Sequence, residues 1–140
     1  MADSITNVEV TWKEDNLFLG ENEAGGQAYL GGENIRRMQM VLVALASCSG
    51  IDVVNILKKK RVNFSDLQIN VSGQRADTHP KVYTDIHVSY YVWGEDIKEK
   101  DVQQAIELSE EKYCSVSAML KSTTTIKSDF KILAPGETIS

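Results

Sequence analysis

Apolar and polar positions change their period several times along the chain, and each change marks an element. Val8, Val10 and Trp12 alternate with polar neighbours, the period of a half-buried strand. Asp15-Asn16 is a turn signal, Leu17-Phe18-Leu19 a second short strand, and Gln27 to Leu30, set between Gly25-Gly26 and Gly31-Gly32, a third. From Arg36 to Lys60 the pattern becomes helical. Met38, Met40, Val41, Leu42, Val43, Ala44, Leu45 and Ala46 are apolar on nearly every face, and a helix apolar all round is expected to be buried all round. Cover would have to come from a sheet on one side and from a second helix or a second subunit on the other. Beyond Gly50 the helix turns amphipathic through Ile51, Val54 and Leu57.

Two strands with strict alternation follow. Leu67, Ile69 and Val71 form one apolar row, and Val82, Ile86, Val88, Tyr90 and Val92 the other, with Asp85, His87 and Ser89 on the opposite face. Gly94-Glu95-Asp96 closes the second strand, and Asp96 is a candidate cap for a helix from Ile97 to Glu111. A short helix from Ser115 to Leu120 and a strand from Thr123 to Leu133 complete the order, and Pro135-Gly136 begins a frayed tail. Strand pairs joined by short connections predict an antiparallel α+β fold. The 140 residues fit a single domain covering 1–140, large enough to bury a core without staples.

Composition narrows the function. A net charge of -5 argues against nucleic acid as a partner. The one tight basic run, Lys58 to Arg61, sits where cations complement a helix C-terminus. The N-terminus lacks the pattern of a signal peptide. The uncharged apolar stretch from Met38 to Ile51 reads as too short for a bilayer span. A cytoplasmic location without membrane association is therefore expected. No nucleotide-binding glycine motif occurs, and with two Cys and two His a structural metal site has too few ligands at close spacing. His79 and His87 read as solvated residues.

Any chemistry is therefore sought at Cys48 and Cys114. In a cytosolic chain they are free thiols or redox partners rather than a structural staple. Cys48 lies inside the apolar helix, where a packed core thiol is the simpler account on composition alone. A reactive Cys48 needs a cation or a helix N-terminus to hold its thiolate. Its own helix offers little, and Asp52, one turn on, would oppose ionisation if it faced the same way. Cys114 falls at the junction of two helices, where backbone N–H groups can point at sulfur. Whether the two pair cannot be read from spacing, because a disulfide needs folded geometry. Arginine occurs only at positions 36, 37, 61 and 75. Arg36 and Arg37 lie roughly 16–18 Å along a continuous helix from Cys48.

The segment Leu-Val-Ala-Leu-Ala-Ser-Cys-Ser-Gly-Ile-Asp-Val-Val-Asn-Ile-Leu, Leu42 to Leu57, resembles the central helix of the OsmC/Ohr family. Gln104 to Ala118, containing Leu-Ser-Glu-Glu-Lys-Tyr-Cys-Ser-Val, resembles the segment carrying that family's second cysteine. Val71-Ser72-Gly73-Gln74-Arg75 fits as well, and the order of elements matches from near residue 5 to residue 133. The wording is closer to the OsmC-like subgroup than to the organic-hydroperoxide-resistance branch. The resemblance implies an OsmC-like fold, with antiparallel sheets wrapped around a long buried central helix in an intertwined homodimer. It also implies thiol-dependent reduction of hydroperoxides in oxidative-stress defence, without metal or organic cofactor. Cys48 would be the peroxidatic residue and pass through a sulfenic acid. Cys114 would be the resolving residue, and an external dithiol would reduce the resulting disulfide. The Met, Val and Leu side chains around Cys48 favour organic or lipid-like hydroperoxides. The alternative is a non-catalytic dimer of the same fold that binds a small apolar or electrophilic ligand. The sequence departs from the family where the thiolate is activated. An acidic residue near the start of the central helix is replaced by Met38 or Gln39, and the strand Gln27 to Leu30 carries no arginine. Arg37, from either chain, is the candidate replacement.

Overall fold

The computed structural model describes residues 5–140. They divide into two compact units, one ending at Val41 and the other running from Leu42 to Ser140.

The first unit is an antiparallel sheet in the order β1-β2-β3, built from β1 (Val8–Glu14), β2 (Leu17–Asn22) and β3 (Gln27–Leu30). The turn at Asp15-Asn16 forms as expected, with Asp15 at φ 45° and the Trp12 indole donating to the Asp15 carbonyl at 2.9 Å. At the next corner the Asn22 side chain accepts from the N–H groups of Ala24 and Gly26, which fixes a tight reversal. Gly31, at φ 93°, lies where a Cβ would stand 2.0 Å from the Asn16 carbonyl oxygen, so no other residue fits there. In the single chain β1 keeps its apolar row at the surface. Val8, Val10 and Trp12 keep 69%, 58% and 62% of their surface exposed.

Helix α1 (Arg37–Lys59) starts at the end of this unit. Gln39 reaches back to the Arg36 N–H at 2.9 Å, and Lys58 and Lys59 occupy its last turn, where the macrodipole favours them. In the single chain its apolar periphery is buried on one side. Leu45, Ser49, Val53 and Leu57 form one buried stripe at four-residue spacing, while Val43 and Ile51 stay 43% and 56% exposed. The bilayer expectation also changes. The 23-residue helix carries two charges, Arg37 and Asp52, before its last turn, and by length and composition alone it could cross a membrane. Its stripe instead packs on a sheet: a Cβ on Gly50 would meet Ile69 Cδ1 at 2.9 Å.

In the second unit β4 (Phe64–Arg75), β5 (Tyr83–Gly94) and β6 (Thr125–Leu133) form a sheet in that order. β4 and β5 are antiparallel, but β5 and β6 are parallel, so this sheet is mixed rather than wholly antiparallel. A parallel pair needs a long crossover. Here it contains α2 (Glu99–Leu108), a π-helical turn (Ser109–Tyr113) and α3 (Ser115–Leu120). The core unites Leu45, Val53 and Leu57 of α1 with Ile86, Val88, Tyr90 and Val92 of β5, Val102, Ala105 and Ile106 of α2, and Leu133.

Two sequence expectations shift locally. A break in register between Gln74 and Arg75 pairs Arg75 with Tyr83 and puts Tyr83, not Val82, on the buried face; Val82 is 51% exposed. Asp96 does not cap α2. It takes φ 54° in the preceding turn, and the cap position falls to Lys98, which makes no side-chain capping bond.

Candidate functional site

The helical run expected from Ile97 to Glu111 changes character at Ser109. From there to Tyr113 the backbone widens into a π turn, and the Cys114 N–H bonds the Ser109 carbonyl five residues back, at 2.7 Å. Cys114 then takes an extended conformation and caps α3, with its sulfur accepting from the Ser117 N–H at 3.4 Å. The sequence junction at Cys114 thus forms as expected, with backbone N–H groups aimed at sulfur.

Cys114 is buried and Cys48 half-buried, and both are free thiols. The fold brings them within hydrogen-bonding reach of one another. Burial pushes the Cys114 thiol up to about 11, and the Ser117 N–H offsets part of that rise. The hydrogen bond to Cys48 and the negative charge Cys48 can carry raise it further, while the Val116 N–H lowers it. Cys114 therefore holds its proton at neutral pH, beside the more accessible Cys48.

Behind the pair lies a polar network that sequence reasoning missed. Ser49 hydrogen-bonds Tyr90 OH and, at 3.1 Å, Ser109 Oγ. Ser109 Oγ also donates to Asp52 Oδ2 at 2.9 Å. On the far side Tyr90 OH donates to Glu110 Oε2 at 3.0 Å, and Ser128 Oγ donates to the same carboxylate oxygen. Ser49, Ser109 and Tyr90 are at most 2% exposed, so these bonds are essential to their burial. Burial also raises the Tyr90 phenol well above its ordinary range. Its bond to Ser49 works against that rise, and Glu110 and Cys114 reinforce it. A signal for the network does exist in the sequence: Ser49, Ser109 and Ser128 are polar residues at positions whose period assigns them to the core side. Asp52 bonds Ser109, the interaction that decides where its carboxylate points.

Arg37 is engaged within the first unit. Its guanidinium donates to the Asn16 carbonyl at 3.2 Å and lies over the Phe18 ring, 5.9 Å from the centroid. His87, expected to be merely solvated, pairs with Asp129 across β5 and β6 at 2.9 Å; both are exposed. Among the described residues no cluster of three or more His, Cys, Asp or Glu could hold a metal.

The central helix, the second cysteine and all of the mixed sheet but the end of β6 lie within residues 31–129, which match the model of the OsmC-like protein family. The chain belongs to the OsmC-like family. It is similar to Protein YhfA of Escherichia coli K12, 37% identical over 129 residues that cover 89% of this chain and 96% of YhfA. Its fold is similar to that of a hypothetical protein from Aquifex aeolicus, with TM-score 0.88, 37% identity, and coverage of 94% of this chain and 98% of the other. A more distant likeness in fold alone is to an organic hydroperoxide resistance protein OsmC from Legionella pneumophila. There the TM-score is 0.70 at 11% identity, covering 94% and 99% of the two chains. Membership in this family agrees with the α+β architecture of two sheets and a long helix.

Proposed function

We propose that this OsmC-like protein is a cysteine-based reductase of organic hydroperoxides that serves in oxidative-stress defence. The observation that carries the proposal is the approach of a half-buried Cys48 to a buried, protonated Cys114. In the proposed cycle the Cys48 thiolate attacks the O–O bond, takes the hydroxyl to become a sulfenic acid, and releases an alkoxide that picks up a proton from water and leaves as the alcohol. The Cys114 sulfur then bonds the Cys48 sulfur; the S–O bond breaks, and the Cys114 proton leaves with the hydroxyl as water. An external dithiol, available in a reducing cytoplasm, returns both thiols. The name of the Legionella protein supports hydroperoxides as the substrate class.

The reading includes a homodimer. Val43 and Ile51 of α1, and Val8, Val10 and Trp12 of β1, are exposed apolar residues that a second copy would cover. Arg37 remains the candidate for holding the thiolate, in its own or the partner's site. Titration of free thiols before and after one equivalent of cumene hydroperoxide tests the cycle. Rapid loss of both thiols, abolished by Cys48→Ser, is expected, and loss no faster than that of a small free thiol refutes it.

One observation favours a second reading, a non-catalytic dimer that binds a small apolar or electrophilic ligand. The Arg37 guanidinium is already held by Asn16 and Phe18. In that case Cys48 would be alkylated by an electrophile without turnover of peroxide.

A further inference from the structure

Ser109 is joined to the carriers of both cysteines. Through its side chain it grips α1: Oγ contacts Ser49 Oγ at 3.1 Å, the Ser49 carbonyl at 3.3 Å and Asp52 Oδ2 at 2.9 Å. Cys48 is the residue next to Ser49. Through its main chain Ser109 accepts the Cys114 N–H at 2.7 Å, the bond that makes the turn π-helical. In an α-helix that N–H would bond residue 110, and Cys114 would lie about 100° round the axis from where it now stands. Glu110 clamps the other side of the turn by accepting from Tyr90 of β5 and Ser128 of β6. The turn is thus held between α1 and the sheet, with Cys114 at its end.

We propose that Ser109 is the positioning residue of the cysteine pair: it sets the separation of the two sulfurs and so the stability of a Cys48–Cys114 disulfide. The inference deepens the reductase reading and rests on it for its biological sense. The physical claim stands on two sulfurs and one hydroxyl. Disulfides tolerate a narrow range of Cα separations, about 4.4–6.8 Å. A turn freed from α1 samples many positions outside that range, which lowers the effective concentration of one thiol at the other.

The test equilibrates the full chain in glutathione buffers of graded potential and counts Cys48–Cys114 disulfide by mass after alkylation. Ser109→Ala is expected to lower the equilibrium constant for disulfide formation about tenfold, a shift of about 30 mV towards oxidising potentials. Asp52→Asn, a milder change at the half-buried end of the bond, moves it in the same direction and serves if Ser109→Ala does not fold. Val92→Ala, a core truncation in β5, leaves the potential where it was. Equal potentials for wild type and both network variants overturn the proposal. So does an equal shift in Val92→Ala, or a wild type that forms no intramolecular disulfide in any buffer. A wild type that forms the disulfide but ignores cumene hydroperoxide defeats the reductase reading and leaves Ser109 in its role. A peroxide-active wild type whose potential Ser109→Ala does not move defeats the role alone.

Discussion

The two cysteines share a chemistry but not a physical setting. Cys114 is raised to about 11, chiefly by burial, against an ordinary value of 9.0. The thiolate absorbance of Cys114, taken as the difference between wild type and Cys114→Ser, should therefore grow in near pH 11 rather than near 9. In Cys48→Ala the inflection should fall, because one of the influences raising it is gone. The same shift links to stability. The folded state holds the Cys114 proton more tightly than the unfolded state, so the contribution is fully present below about pH 9 and is lost as pH climbs to about 11. Denaturant midpoints of wild type should decline across that window, and those of Cys114→Ala should decline less. A second residue-scale expectation concerns Gly73. A Cβ there would stand 2.6 Å from the Tyr83 ring, which the register break has turned inward. Gly73→Ala should cost about 1–3 kcal/mol by overpacking, read from urea unfolding.

Among the elements, α1 separates two kinds of apolar position that look alike in the sequence. Leu57 is fully buried against the second unit's core, and Ile51 is 56% exposed. Leu57→Ala should destabilise by about 2–5 kcal/mol through lost burial and a cavity. Ile51→Ala, measured on the dissociated chain at high dilution, should change stability by about 0.5 kcal/mol or less. The π turn is the other informative element. Its first three residues read as the ordinary end of a helix from Ile97 to Glu111, with Val102, Ile106 and Tyr113 in register. The departure comes from anchors on other elements, Ser49 and Asp52 on one side and Tyr90 and Ser128 on the other.

For the whole molecule, the uncovered apolar positions on β1 and α1 lead to an association experiment. Sedimentation of wild type should give a dimer, and Trp12→Glu or Ile51→Glu should shift it towards monomer. A folded, wild-type-like monomer that exposes both positions in solution would remove the homodimer from the proposed function. If the second copy completes the site, the monomeric variants should also react slowly with cumene hydroperoxide while keeping both thiols.

The sequence by itself determined the element order, the α+β class, the family and the identity of the two cysteines. Each of these is written in short-range periodicity or in contiguous motifs, such as Leu42 to Leu57 and the stretch ending at Cys114. The short helix Ser115–Leu120 forms with the bounds its pattern predicts. Only the tertiary structure decided that β6 runs parallel to β5, that Tyr83 rather than Val82 faces the core, and that Cys48 meets Cys114. It alone showed that Ser49, Ser109, Tyr90 and Glu110 form one hydrogen-bonded network. Those facts depend on pairings between residues distant in the chain, where a polar side chain's partner is fixed by what packing leaves within about 3 Å of it. Local pattern holds the periods of the elements, but the meeting of their faces carries no period of its own.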